Sequence, residues 1–239
     1  MDKAWIINHL VAVHGYRRYL ELCTTTTGGL YGAIDQSQLA VCRRLMYRCP
    51  DDFEDGRRID YRSNTLDISA CLSSIAAKDR SFDIALVDSW HEYAPSWRDL
   101  QEAFRLIRPG GTLVVHDCLP PRAAVAGPLP IPGEWCGVSY QAYIDFVHDC
   151  DDLEFYTVNV DYGCGVIRKA PKRSWLHRWA NAVAWLLRAP EPEPLLREWQ
   201  EAKQLGSDEA FTCLEVNREE LLNLISVEAF LEREPAPSC

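Results

Sequence analysis

The chain of 239 residues is short of positive charge, with 25 Lys and Arg against 35 Asp and Glu, a formal net charge of −10. Nonspecific nucleic-acid binding needs a positive surface that displaces counterions from phosphate, so no nucleic-acid partner is expected. Long apolar runs are missing as well, and no uninterrupted stretch is long enough to span a bilayer. The opening segment MDKAWIINHLVAVHGYRRYLELC lacks a basic stretch followed by an apolar run and a small-residue cleavage site, so no secretory signal is expected. Paired CxxC spacing is absent although the chain has ten cysteines (23, 42, 49, 71, 118, 136, 150, 164, 213 and 239), which argues against a zinc site. Several of these cysteines lie in apolar, strand-like runs, where a free thiol behaves as a small hydrophobe. Reduced, buried thiols and a cytoplasmic location are the expectation. No GxGxxG follows the first strand, which speaks against a nicotinamide-dependent Rossmann enzyme.

What is present is an ordinary globular composition, 47% hydrophobic and 25% charged, in a length that fits one α/β domain with an appendage. Ile6, Leu10 and Val13 stand at helical spacing within residues 5–19. Residues 19–23 form a short strand candidate before a threonine- and glycine-rich turn at 24–29. Residues 39–47 mix apolar and basic side chains and are compatible with strand or helix. A polar loop at 50–58 precedes a brief strand at 59–62 and an amphipathic helix at 66–77, with Ser63 or Thr65 as its cap. Strand, helix and strand are then expected at 82–87, 96–107 and 112–115. A proline- and glycine-rich loop at 119–134 reads as a lid over the sheet edge. A helix at 139–147 and strands at 153–160 and 165–168 follow. This alternation predicts a doubly wound, mostly parallel sheet, with antiparallel pairing at its end.

After residue 171 the character changes. Residues 175–187 (WLHRWANAVAWLL) read as a tryptophan-rich helix, with further helical runs at 195–204 and 218–231. The expected division is a Rossmann-like domain over 1–170 and a helical extension over 171–239 that packs on the sheet or forms a homodimer contact. An interfacial membrane role for the basic-flanked Trp175, Trp179 and Trp185 is disfavoured by the acidic net charge.

The chemistry concentrates in residues 82–121, FDIALVDSWHEYAPSWRDLQEAFRLIRPGGTLVVHDCLPP. Its first strand runs out into Asp88 and His91 and its second into His116 and Asp117. Ligands of open parallel α/β sheets sit beyond the carboxyl ends of the strands, where these residues fall. Either imidazole, with a pKa near neutrality, suits general-base work. The bland alternatives are a backbone-bonded helix-start residue at 91 and a buried, neighbour-satisfied histidine at 116. Trp135, Tyr140 and Tyr143 suit an acceptor pocket or the core equally.

Together YLELCTTTTGG, FDIALVDSWHEY and LIRPGGTLVVHDCLPP resemble the motifs of class I S-adenosylmethionine-dependent methyltransferases. The likeness is to a small-molecule O-methyltransferase-like subgroup with D-x-x-H and hD elements at the strand ends, and it covers roughly residues 15–170. It implies a Rossmann-like, doubly wound, mostly parallel seven-stranded sheet with helices on both faces, and S-adenosylmethionine as cofactor. By the same resemblance Glu21 with Thr24, Thr25, Gly28 and Gly29 would cradle the amino-acid end of the methyl donor. Asp67 would lie near its adenine, and Asp88 with Ser89 near its methionine end. Asp88 and Asp117 match two positions that hold a divalent metal in catechol-type relatives, but Cys118 takes the third, and a thiol serves magnesium poorly. The acid that normally binds the ribose has no clear counterpart, since Cys42, Arg43 and Arg44 fall near its place.

The function so implied is methyl transfer to a hydroxyl of a small molecule, a sugar or a secondary metabolite. His91 or His116 would act as base and Asp117 would orient the acceptor. The alternative is a catalytically degenerate member serving as a binding or assembly partner.

Overall fold

The computed structural model describes residues 1–25, 30–54, 56, 58–88, 90–171 and 193–236. Helix α1 (Lys3–His14) opens the chain, with the Asp2 carboxylate accepting from the Trp5 amide and Gly15 at φ 61° ending it. That glycine exit stops the helix well short of residue 19, and strand β1 (Arg18–Thr24) starts after a brief turn. Next come β2 (Val41–Tyr47), β3 (Tyr61–Arg62), α2 (Ser69–Asp79), β4 (Phe82–Asp88), α3 (Tyr93–Leu106) and β5 (Ile107–Val115). Helix α4 (Ser139–Asp149), β6 (Leu153–Val158) and β7 (Cys164–Lys169) complete the alternating part. The later elements are α5 (Pro194–Leu205), α6 (Ser207–Leu222), β8 (Leu224–Ile225) and α7 (Val227–Arg233).

The strands form one sheet in the order β3-β2-β1-β4-β5-β7-β6-β8. Pairing is parallel from β3 through β5, β7 runs antiparallel to both β5 and β6, and β8 lies parallel to β6. The sheet is thus one strand wider than the seven expected, because the short β8 adds to the β6 edge. Every residue of β4 is buried, as befits a central parallel strand covered on both faces. One face packs α1 through Ile6, Ile7 and Leu10 against Ile84, Leu86 and Val114. The other carries Leu20, Leu45, Ala85 and Leu113 under Leu100, Ala103 and Tyr143.

The ambiguous residues 39–47 are strand because β2 pairs along its whole length with β1. Its arginines find acids: Arg43 lies 3.1 Å from Asp79, and the buried Arg44 faces Glu21. Ser63 and Thr65 do not cap α2. Ser63 Oγ donates to the Asp67 carbonyl at 2.7 Å, and Asp67 itself accepts from the Ser69 amide where the helix begins.

The tryptophan-rich run 175–187 lies outside the described residues. In 193–236, Trp199 is fully buried and its indole donates to Asp145 at 2.9 Å. Phe230 packs beside Trp5 and His9 of α1. Glu234 gathers several partners: His14 at 2.8 Å, the Tyr156 hydroxyl at 3.0 Å and Arg168 at 2.9 Å, while His9 Nε2 lies 2.7 Å from its carbonyl. Among the described residues, no helix is long and apolar enough to cross a membrane, and the cysteines are free thiols.

Candidate active site

Parallel pairing sets Val87 opposite Val115, so the chains leaving β4 and β5 emerge side by side. The His116 amide extends the ladder by donating to the Val87 carbonyl. Asp117 then turns into the left-handed region at φ 58°, which aspartate tolerates better than most side chains. Its Oδ2 lies 3.1 Å from both His116 Nδ1 and His91 Nε2. His91 Nδ1 bonds the Trp135 carbonyl, an acceptor that assigns the hydrogen to that nitrogen and turns Nε2 toward the carboxylates. Gly137 makes this possible: it sits at φ 60°, and a Cβ there would lie 2.1 Å from the His91 carbonyl, which the Val138 amide bonds at 2.8 Å.

Two further groups arrive from distant segments. Lys3 Nζ donates to Asp88 Oδ2 at 2.8 Å and lies 3.1 Å from His116 Nδ1. The Lys3 amide donates to Asp161 Oδ2 at 3.0 Å, and that oxygen is 3.4 Å from His116 Nε2. Asp161, Tyr162 and Gly163 all have positive φ in the turn between β6 and β7. That turn docks on the chain after β5, with the Leu119 amide bonding the Tyr162 carbonyl at 2.7 Å. A Cβ on Gly163 would come within 2.5 Å of the Leu119 nitrogen, so only glycine permits this approach.

The cluster sets three carboxylates against one ammonium and two imidazoles, and the charges balance when both rings are protonated. Burial works against the charge on His116, but Asp88 and Asp117 outweigh it and hold the ring's pKa well above its ordinary value. His91 is raised in the same way, against burial, by Asp88 and Asp117. Burial likewise opposes ionisation of Asp88, and Lys3 and then His116 overcome it, holding the carboxyl well below the usual range. Asp161 falls to about 2: burial opposes its ionisation, but the adjacent His116 ring and the Lys3 amide outweigh it. Neither His91 Nε2 nor His116 Nε2 has an aligned hydrogen-bond partner, despite burial and carboxylates at 3.1 and 3.4 Å. Such atoms suit a ligand hydroxyl.

Asp88, His116 and Asp117 bring ligand atoms within 4.8 Å of one another, the size of a metal site. The remaining donors do not fit a hard divalent ion. Cys118 is fully buried with Sγ 3.4 Å from the Val115 carbonyl, and burial pushes its thiol well above the ordinary range. Lys3 already brings a cation to Asp88. No chemistry below is routed through a metal.

The β1–β2 end is different. Glu21 is fully buried, accepts from the Tyr19 hydroxyl at 3.0 Å and lies 3.6 Å from Arg44. Burial raises its pKa, with Tyr19 and Arg44 opposing. Thr24 is buried and Thr25 half-buried at the end of β1, while Gly28, Gly29 and Ser89 lie outside the described residues. Asp67 is exposed after β3. Where a ribose-binding acid would stand, β2 ends in Tyr47 followed by Arg48. The Tyr47 hydroxyl donates to Asp99 and accepts from the Trp90 amide, both at 2.6 Å, and the Arg48 guanidinium lies 3.6 Å from the Trp90 ring centroid.

Of the three aromatic candidates, Tyr140 and Tyr143 are core residues, and only Trp135 stands beside His91, ring centroids 5.2 Å apart. A cavity of about 330 Å³ opens next to Asp161, lined by Leu119, Pro120, Tyr162, Phe211 and Arg218. Sequence reasoning missed Lys3 and Asp161, and did not foresee that Arg44 faces Glu21. For Asp161 a signal existed, the Asp-Tyr-Gly turn between two strands; for Lys3 there was none.

Residues 30–118 match a family model described as a methyltransferase domain. No curated protein matches the chain in sequence. Among solved structures, an O-methyltransferase from Bacillus cereus in complex with SAH superposes with a TM-score of 0.50 at 14% identity, covering 71% of this chain and 80% of that one. The cofactor-bound Rv0187 protein from MTB does so with a TM-score of 0.50 at 16% identity, covering 71% and 80%. Residues 30–118 are thus similar to a methyltransferase domain, and the chain has the Rossmann-like fold of these structures.

Proposed function

We propose that the protein transfers the methyl group of S-adenosylmethionine to a hydroxyl of a small molecule, a sugar or a secondary metabolite. The observation that carries this reading is the pair of buried imidazole nitrogens, His91 Nε2 and His116 Nε2, that lack aligned partners at the β4 and β5 ends of a methyltransferase domain. The donor, when bound, supplies an already activated methyl group. The chain then has two tasks, to align the acceptor oxygen and to remove its proton.

In this reading Thr24 and Thr25, with Gly28 and Gly29, hold the donor's amino-acid end, Asp67 its adenine side, and Asp88 with Ser89 its methionine end. Glu21 acts from inside the sheet, fixing the end of β1 through Tyr19 and Arg44. His91 takes the acceptor proton, with His116 the second choice, and Asp117 orients the acceptor. The neighbouring carboxylates favour the protonated form of both rings, so the base is the fraction that has released its proton. The cavity beside Asp161 is the entry for the acceptor. Leu205 and Val216, each 75% exposed on α5 and α6, support a homodimer contact through the C-terminal helices, which light scattering tests.

Calorimetric titration with S-adenosylmethionine tests the core of the proposal. Micromolar binding, unchanged by a divalent ion, is expected. No heat at high micromolar donor would refute the reading. It would favour the alternative that Glu21's enclosure supports, a catalytically degenerate fold kept as a binding or assembly partner.

A further inference from the structure

We infer that Lys3 is the resident cation of the strand-end cluster, occupying by covalent attachment the position at which Asp88, His116 and Asp117 would otherwise hold a divalent ion. The three candidate ligand groups converge within 4.8 Å, as a metal site requires. Lys3 Nζ stands among them, 2.8 Å from Asp88 Oδ2 and 3.1 Å from His116 Nδ1, with only 14% of its side chain exposed. Two charges cannot share so small a buried volume without strong mutual repulsion, so ammonium and metal compete for one place.

The lysine is held there by design of the first helix. Asp2 caps α1, the Lys3 amide is tied to Asp161, and Ile6, Ile7 and Leu10 are buried one and two turns on. A flexible surface lysine sacrifices much rotamer freedom when fixed, but here the backbone is already placed by packing. The substitution at 118 fits the same picture: a site whose cation is built in does not require a hard oxygen ligand at that position. Lys3 is thus a positioning residue, setting Asp88 and His116 for whatever binds beside them, whether or not the methyl-transfer reading holds.

Manganese tests this without reference to turnover. Free Mn²⁺ is followed by electron paramagnetic resonance, and thermal unfolding is recorded with and without the ion, for wild type, Lys3→Met, Lys3→Arg and Lys3→Met/Asp88→Asn. Wild type and Lys3→Arg are expected to take up no Mn²⁺ at millimolar concentration and to show unchanged Tm. Lys3→Met should unfold earlier, bind Mn²⁺ about tenfold or more tightly than wild type, and recover Tm when it does so. Asp88→Asn in the same chain should abolish both effects. Uptake of Mn²⁺ by wild type as tight as by Lys3→Met overturns the proposal, and so does a folded Lys3→Met indifferent to the ion. Lys3→Gln serves if Lys3→Met does not fold. Should neither neutral variant fold, the wild-type titration decides: uptake there counts against the proposal and its absence for it.

Discussion

The two ends of the parallel sheet edge handle charge in opposite ways. Beyond β4 and β5, acids, imidazoles and a lysine from four separate segments meet, and two ring nitrogens are left without aligned partners. At β1 and β2, Glu21 accepts from the Tyr19 hydroxyl and faces Arg44 at 3.6 Å, inside the sheet, and its Oε1 likewise lacks an aligned hydrogen bond. Buried charge is costly in both places. The first end gathers its charges where the chains leave the sheet, whereas the second holds its own between strands. The charged groups of the β4–β5 end therefore stand nearer the strand ends, where ligands of such sheets sit, than Glu21 does.

The comparison breaks most readily at His91. With an acceptor in hand, His91→Asn is expected to lower kcat/KM by about 10²–10⁴-fold while calorimetry still shows donor binding. In the unsubstituted protein the rate should climb with pH through a midpoint above about 6.5, because the carboxylates raise the ring's pKa. Loss of donor binding along with turnover would merge the two ends into one site.

Stability separates them next. Asp88→Asn leaves Lys3 and His116 buried without their main counter-charge, and denaturant unfolding should register a loss of about 3–5 kcal/mol. Adding Lys3→Met should recover part of that loss. A loss below about 1 kcal/mol would mean that water screens the cluster. At the other end, Glu21→Met/Arg44→Met removes both partners together and should cost only about 1–2 kcal/mol, less than Glu21→Met alone. Unchanged donor affinity in the double variant would confine Glu21 to an internal role.

The smallest effect concerns His14, remote from both ends. Burial first, and then Arg168, hold its pKa below the ordinary value against the pull of Glu234. The unfolded chain takes up a proton near pH 6.5, where the folded one does not, so stability falls as pH drops below about 6.5 and levels off beneath the folded pKa. His14→Asn should flatten that acid limb in denaturant midpoints. His91 and His116 have the opposite sign: their contribution is full below about pH 6.5 and fades as pH rises through their elevated values.

The β4–β5 end was legible in the sequence because its signals are local. An apolar run, an acid and a histidine three residues later, then Pro-Gly-Gly, an apolar run and His-Asp, fix both strand ends within forty positions. The β2 strand was not legible, because Arg43 and Arg44 disguise its pattern until Asp79 and Glu21 are brought to them. Lys3 was beyond reach for a different reason: 85 residues separate it from Asp88, and only the packing of α1 over the sheet joins them. The extent of α1 was misjudged at Gly15, where a left-handed exit overrides a helical spacing that otherwise persists.

Glu234 ties α1 to the antiparallel side of the sheet through His14, Tyr156 and Arg168. During synthesis, the first helix emerges from the ribosome long before this residue exists. The packing of Ile6, Ile7 and Leu10 that places Lys3 can form before then. A nascent chain halted short of residue 234 would keep Lys3 at Asp88 but leave His14, Tyr156 and Arg168 without their shared partner, so the far end of α1 should be the later to set.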